Sequence, residues 1–436
     1  MRYSSTRGQA PQVTFSQALV QGLAPDGGLY VPGNWPQSGA AFQSGGTATP
    51  DELLPALAVQ VISGFAEGDA LADSLSDIVH DAFNFPAPLK PLGASGKLSV
   101  LELFHGPTAA FKDFGARFLA ASLTRIQRPA GRPLRILVAT SGDTGGAVAA
   151  AFHRRPGIEV VVLFPEGRVT PTQQQQLTCW GDNVSSLAVR GTFDDCQRMV
   201  KEAFLDTDMR QHAELSSANS INIGRLLPQA VYYAASSLHV QKEQGTGASY
   251  IIPSGNLGNS VACLWAKQMG FPIDRIELAH NANVMVPEFL ATGKLRPRPS
   301  IATLASAMDV GNPSNLERML WMFPDAAALG AQLTAHSVSD AAIQSRIVAD
   351  HATYGETWCP HTATAAEVYA NLSESERKAH NWVLVATAHP AKFREIVEPL
   401  IGPVPVPENL RRLFELPSRF EVIDPSLAAL RSAIDA

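Results

Sequence analysis

Lys112 stands where a lysine gains least from a helix. It is the centre of Leu101 to Leu119, LELFHGPTAAFKDFGARFL. His105-Gly106-Pro107 is turn chemistry, and Thr108 can cap the helix that follows by accepting from a free N–H of its first turn. Phe111, Phe114, Phe118 and Leu119 recur at helical spacing, so one face is apolar. Lys112 lies beside that face near the N-terminal end, where the helix dipole favours anions over an ammonium. Burial lowers the pKa of a lysine, and a neutral amine is free to condense with a carbonyl. Taken alone, the same position also suits a solvated helical lysine.

Two glycine-bearing turns could hold anions. SGNLGN, Ser254 to Asn259, follows the strand Tyr250-Ile251-Ile252 and precedes a helix from Ser260 to Met269. Free N–H groups at a helix start converge on one place and favour an anion. Gly255 and Gly258 allow close approach, Leu257 lies between them, and Asn256 and Asn259 bring amide donors. An ordinary strand-to-helix turn would use glycine in the same way. SGDTGG, Ser141 to Gly146, lies between the strand Arg135 to Thr140 and the helix Ala147 to Phe152. Ser141, Gly142, Asp143 and Thr144 there could meet an amino-acid carboxylate through N–H groups and hydroxyls. Neither GxGxxG nor GxxxxGK[ST] is present, which disfavours dinucleotide and nucleotide-triphosphate loops. Thr387 ends the strand Trp382 to Ala386, and strand ends of α/β sheets face the ligand crevice. A strand-end hydroxyl bonded to backbone is the plainer account of Thr387.

The elements that must position these residues alternate strand, turn and helix. Glu159 to Phe164, Val184 to Val189 and Arg275 to Ala279 read as further strands, and Phe193 to Phe204 and Gly224 to Val240 as helices. That order implies an α/β fold with parallel sheets. Ahead of it, Thr14 to Leu23 reads as a helix, Leu29-Tyr30-Val31 as a short strand, Ser38 to Thr49 as a loop, and Pro50 to about Phe83 as helical. The stretch from Ile401 is proline-rich and then helical, suited to a wrap-around tail or an interface. At 436 residues the chain calls for two or three domains.

Hydrophobic content of 45%, charged content of 17% and a net charge of −6 describe a globular protein without a basic run for nucleic acid. Lys294-Leu295-Arg296-Pro297-Arg298, the densest basic patch, reads as a surface loop. No apolar run is long enough to cross a bilayer, and the N-terminus lacks the apolar core of a secretory signal. The four cysteines are far apart and form no CxxC pair, which suits reduced thiols in the cytoplasm and disfavours structural zinc.

HGPTAAFKDFGARFL resembles the lysine segment of threonine synthases, HGPT-x-AFKDF. MRYSSTRG, APDGGLYVP, GTFDDCQRMV, SINIGRLLPQAVYY, MDVGNPSNLERML, PHTATAAEVY and TAHPAKF match that family too, in its order, and most closely its long-chain branch. The resemblance implies a tryptophan-synthase-β-like pyridoxal phosphate fold. It would have an N-terminal extension over residues 1–95, a large lobe from 96–120 and 216–436, and a small lobe over 121–215. It implies that Lys112 carries pyridoxal 5'-phosphate as a Schiff base, that Ser254 to Asn259 hold the cofactor phosphate, and that Thr387 faces the pyridine nitrogen. Asp143 stands where related enzymes commonly have asparagine. An ionised carboxylate there would repel a phenolate, so Asp143 either is protonated or turns away and holds its loop, and the second is expected. Arg225, Asn222, Asn312, Asn315 and Arg318 become candidates for the substrate phosphate or carboxylate, since a guanidinium can bond two oxygens at once. His361 and His389 read as structural. The implied reaction takes O-phospho-L-homoserine and water to L-threonine and phosphate, in a monomer or a dimer. A phospho-lyase releasing 2-oxobutyrate keeps the same site, and a non-catalytic phosphate-ligand binding protein is the alternative outside enzymes.

Overall fold

The computed structural model describes residues 1–37, 50–127, 132–140 and 142–435. Ser141 and the expected loop Ser38 to Thr49 lie outside the described residues. In chain order the strands are β1 (Tyr3–Ser5), β2 (Tyr30–Pro32), β3 (Leu89–Pro91), β4 (Leu98–Glu102), β5 (Leu134–Ala139), β6 (Ile158–Pro165), β7 (Val184–Val189), β8 (Glu214–Ser217), β9 (Ala248–Pro253), β10 (Ile273–His280), β11 (Thr334–Ser337), β12 (Asn381–Ala386) and β13 (Glu421–Ile423).

They form two main sheets. The larger runs β11-β10-β9-β12-β4-β3, parallel except for the β3–β4 pair, and the smaller runs β13-β7-β6-β5-β8, parallel throughout. β5, β9 and β12 are buried along their whole length, as strands covered by helices on both faces must be. Their side chains still divide by alternation. Ile136 and Val138 of β5 join the principal core, whereas Leu137 and Ala139 join a separate cluster on the other face with Met199 and Leu430.

The N-terminal segment is part of the principal core. Tyr3, Phe15, Leu57 and Phe65 are buried with Phe118, Tyr232 and Trp265. Ser5, Thr6 and Arg7 also find partners: Ser5 donates to Asp26 (2.7 Å), and Thr6 (2.6 Å) and Arg7 (3.1 Å) donate to Glu317. The expected helix Gly224 to Val240 is two helices, Ile223–Leu226 and Gln229–Gln244, parted at Pro228.

The tail departs from expectation. Residues 216–436 are expected in the large lobe, yet β13 pairs with β7 at the edge of the smaller sheet, and the helix Leu427–Asp435 packs on the helix Phe193–Leu205. β8 straddles the expected border at 216, and β3 joins the larger sheet from within the expected N-terminal extension. Strand pairing decides these memberships, and pairing is not a local property of the chain.

Candidate active site

Both sheets direct their strand exits into one cleft of about 250 Å³. Each contains a point where strand order reverses. β5 has β6 on one side and β8 on the other, and β9 has β10 on one side and β12 on the other. The exits of four of these six strands line the cleft: Gly142 after β5, Asn219 and Ser220 after β8, Ser254 to Asn259 after β9, and Thr387 after β12.

Lys112 begins the helix Lys112–Arg125 and lines the cleft. The start of that helix is tied to β12, because the Phe111 N–H donates to the Thr387 carbonyl (2.9 Å) and Ala110 pairs with Ala388. Thr108 does not cap it. Its N–H and hydroxyl both donate to the Asp113 carboxylate, at 2.9 and 2.7 Å, a stronger acceptor than any helix N–H is donor. The Lys112 ammonium is 5.0 Å from the Phe111 ring centre, and 16% of the side chain is exposed. Burial lowers its pKa from the usual lysine value, Asp143 and Asp113 pull it up, and Lys392 and Arg225 push it further down.

Asp143 overturns the expectation that it turns away. Its Oδ2 is 3.8 Å from Lys112 Nζ, and its Oδ1 is 2.9 Å from Nζ of Lys392, whose side chain is fully buried. Burial pushes the Asp143 carboxyl up, but the Lys392 and Lys112 cations outweigh it and hold the group well below the usual carboxylate range. The neutralising cation is the physical reason that an aspartate can face the site. Lys392 belongs to the TAHPAKF stretch; sequence reasoning named Thr387 there and missed the lysine.

The turn after β9 lines the cleft and opens the next helix. Leu257 takes a left-handed conformation (φ 63°) and precedes the helix Gly258–Gln268, whose first turn has no side-chain cap. Backbone strain at a non-glycine residue marks a turn held by its surroundings. A Cβ on Gly255 would come within 2.7 Å of Met308 Cα, so only glycine fits. The buried Asn259 Nδ2 has no hydrogen-bond partner among the described residues, while its Oδ1 accepts from Tyr233 (3.0 Å) and Tyr232. An unpaired buried donor at a helix start suits a phosphate oxygen. Asn256 is spent elsewhere, donating to Ser220 (2.9 Å) and accepting from the Ser314 N–H (2.7 Å). The Ser254 hydroxyl bonds Ile252 O and Ser260 within the turn.

On the opposite wall, Gly142 has a φ of 148° and a hydrogen where a Cβ would meet Gln173 Nε2 at 2.4 Å. Its N–H and that of Gly145 donate to the Thr140 hydroxyl, each at 3.0 Å; Thr144 lines the cleft beyond. Arg225 lines it as well, buried, with Nη1 on Ala218 O and Nε without a partner among the described residues. Burial lowers its pKa to about 10, so it stays charged at neutral pH.

The other polar candidates serve the scaffold. Asn315 Nδ2 donates to Asn256 O (3.0 Å) and its Oδ1 accepts from Arg318 (2.6 Å). Arg318 is fully buried on Tyr30 O and Ile221 O. Asn222 caps Ile223–Leu226 and donates to Leu19 O. Polar side chains that satisfy buried carbonyls have nothing left for a ligand. Asn312 lines the cleft, and so does His361, whose Nε2 accepts from the Ala307 N–H (3.1 Å). His389 Nδ1 accepts from the Ala391 N–H (3.1 Å). All four cysteines are free and buried, and no helix among the described residues is long and apolar enough to cross a membrane.

Three family models cover the chain: "Threonine synthase N terminus" over residues 2–83, "Pyridoxal-phosphate dependent enzyme" over 84–388, and "Threonine synthase, C-terminal" over 362–434. The chain is 39% identical to the threonine synthase of Haemophilus influenzae, over 97% of this chain and 96% of that one. It is 37% identical to that of Escherichia coli, over 99% and 98%. Among solved structures, a pyridoxal-phosphate-bound threonine synthase from Brucella melitensis superposes with a TM-score of 0.90 at 34% identity, over 100% of this chain and 98% of that one. The threonine synthase of yeast superposes with a TM-score of 0.88 at 28% identity, over the same shares. The three family models and the full-length likeness to these relatives agree: the chain belongs to the threonine synthases, within the pyridoxal-phosphate-dependent enzymes.

Proposed function

We propose that this protein converts O-phospho-L-homoserine and water into L-threonine and phosphate, with pyridoxal 5'-phosphate held at Lys112. The observation that carries the reading is the partly buried Lys112 amine in the same cleft as the Asn259 amide, which has no partner among the described residues, and the uncapped helix start behind Leu257. Those residues fit the cofactor: Lys112 would take its aldehyde carbon, the turn Ser254 to Asn259 would hold its phosphate, and the Thr387 hydroxyl would face its ring nitrogen. When bound, the cofactor supplies a conjugated ring that draws electrons from the substrate's Cα.

The chain's own groups then do the following. Lys112, whose proton affinity burial has weakened, takes a proton at Cα and next at Cβ. The Cγ–O bond breaks, and phosphate departs with its electron pair. A proton returns to Cγ, water oxygen bonds to Cβ while its surplus proton passes to the released phosphate, and a proton returns to Cα. Arg225, charged and short of partners, holds a substrate anion, and the Thr144 hydroxyl at the start of the helix Asp143–Phe152 meets the amino-acid carboxylate. A hydroxyl at the ring nitrogen leaves the ring a weaker acceptor than a carboxylate would, so placement of Lys112 matters more.

Product analysis tests the reading. O-phospho-L-homoserine is supplied to the cofactor-loaded protein, and threonine is separated from 2-oxobutyrate by chromatography, with Lys112→Ala run in parallel. Threonine from the wild type alone is expected. Predominant 2-oxobutyrate would replace the reading with a phospho-lyase, and neither product from loaded protein would reject the substrate.

A further inference from the structure

A buried lysine needs partners, and Lys392 has two from different parts of the molecule. It lies in the 3-10 turn Pro390–Phe393 just after Thr387, and its side chain is fully buried. Nζ is 2.8 Å from the carbonyl of Thr108, in the turn before Lys112, and 2.9 Å from Asp143 Oδ1, at the head of the helix after β5. Gln176, from the helix Pro171–Thr178, donates to the same Thr108 carbonyl at 3.0 Å. Asp143 Oδ1 is thereby occupied, and Oδ2 is left facing Lys112 Nζ at 3.8 Å. The carboxylate comes from the smaller sheet, and both lysines come from elements attached to the larger one.

We propose that Lys392 is a positioning residue for the reaction: through Asp143 it fixes one carboxylate oxygen opposite the Lys112 amine, and the two opposite charges together set how firmly the Lys112 nitrogen holds a proton. An unpaired carboxylate at this place would hold Lys112 as an ammonium and spoil it as a base. An unpaired Lys392 would drive the proton off Lys112. The pair balances the two. The other charged groups facing the site are Arg225 and Asp113 around Lys112, and His361 toward Asp143. His361 accepts the Ala307 N–H at Nε2, which suits its neutral form, and burial lowers its pKa to about 4. Asp113 also lies in the field of Lys392, through Thr108, so the opposite signs of the two single shifts and their cancellation in the double variant, not the size of either shift, report the pair.

The inference rests on the reading that Lys112 carries the cofactor, and one titration separates the two. The visible band of cofactor-loaded protein is recorded against pH for the wild type, Lys392→Met, Asp143→Asn and the double variant. A band that survives in Lys112→Ala would sink the cofactor reading by itself. With the band present only when Lys112 is intact, Lys392→Met is expected to raise the midpoint by about one pH unit or more, Asp143→Asn to lower it by a similar amount, and the double variant to return close to the wild type. Shifts of equal sign, or no shift in either single variant, would overturn the proposal. Where Lys392→Met alone does not fold, Asp143→Asn and the double variant decide. The double variant carries no unpaired member of the pair, and its midpoint must lie above that of Asp143→Asn; equality would reject the proposal. Lost packing moves stability but does not produce opposite shifts that cancel.

Discussion

Asn259 does two jobs with one amide. Its oxygen is saturated by the Tyr232 and Tyr233 hydroxyls, and its nitrogen is buried at the cradle without a partner among the described residues. Asn259→Asp keeps the shape and the acceptor for both tyrosines, and replaces the free donor with an anion. Cofactor affinity should fall at least about tenfold, since a hydrogen bond to a charged group is worth about 1.5–3 kcal/mol. Titration of the cofactor against the apoprotein checks this, and a thermal melt of the apoprotein close to the wild type would show that the fold is kept. Unchanged affinity would remove Asn259 from the cradle. Residues of this kind were legible because glycine, strand end and helix start fall at fixed spacing along the chain. Lys392 was not, because nothing local says that the exits of β12 and β5 meet. Asn315 and Arg318 misled for a related reason: donors that suit phosphate equally suit buried carbonyls, and residue type does not tell the two apart.

The same contrast holds between elements. β7, Val184–Val189, was readable to its end residues from its place in the alternation of strands and helices. β13 was not: three residues, Glu421–Ile423, carry no usable period, and they become a strand only against β7. This distant addition bears on the site. The helix Phe193–Leu205 supplies Phe193, Asp194 and Gln197 to the cleft wall, and its rear packs on the tail helix around the fully buried Leu430. Leu430→Ala leaves a hole between those helices and should cost about 2–5 kcal/mol of stability, read from denaturant unfolding. Hydrogen exchange should rise first in β7 and Phe193–Leu205. A loss within about 0.5 kcal/mol, the range of a surface substitution, would mean that the tail only drapes over the lobe.

Across the whole molecule, acid should weaken the fold at one edge. His280 ends β10, His361 lines the cleft, and His389 follows Thr387, so all three stand near the strand exits of the larger sheet. Burial lowers their pKa values from 6.5 to about 3, about 4 and about 4. Below pH 6.5 the unfolded chain therefore binds three protons that the folded chain refuses until about pH 4. Stability is complete above that window and declines as pH falls through it, at no more than about 1.4 kcal/mol per pH unit for each group. Asp309 works in the opposite sense. Burial raises it from 3.8 to about 6, so the folded chain takes up that proton first and recovers part of the loss below pH 6. Burial also raises Asp113 and Glu356, which act in the sense of Asp309, so the histidine contribution is read from one variant at a time. His280 is the cleanest probe, because its Nε2 has no partner among the described residues to lose. In His280→Gln the absolute melting temperature is free to change, but its slope against pH should be shallower than that of the wild type. An unaltered slope would mean that His280 is protonated in the fold or reached by water, and that the acid sensitivity of this edge lies in other groups.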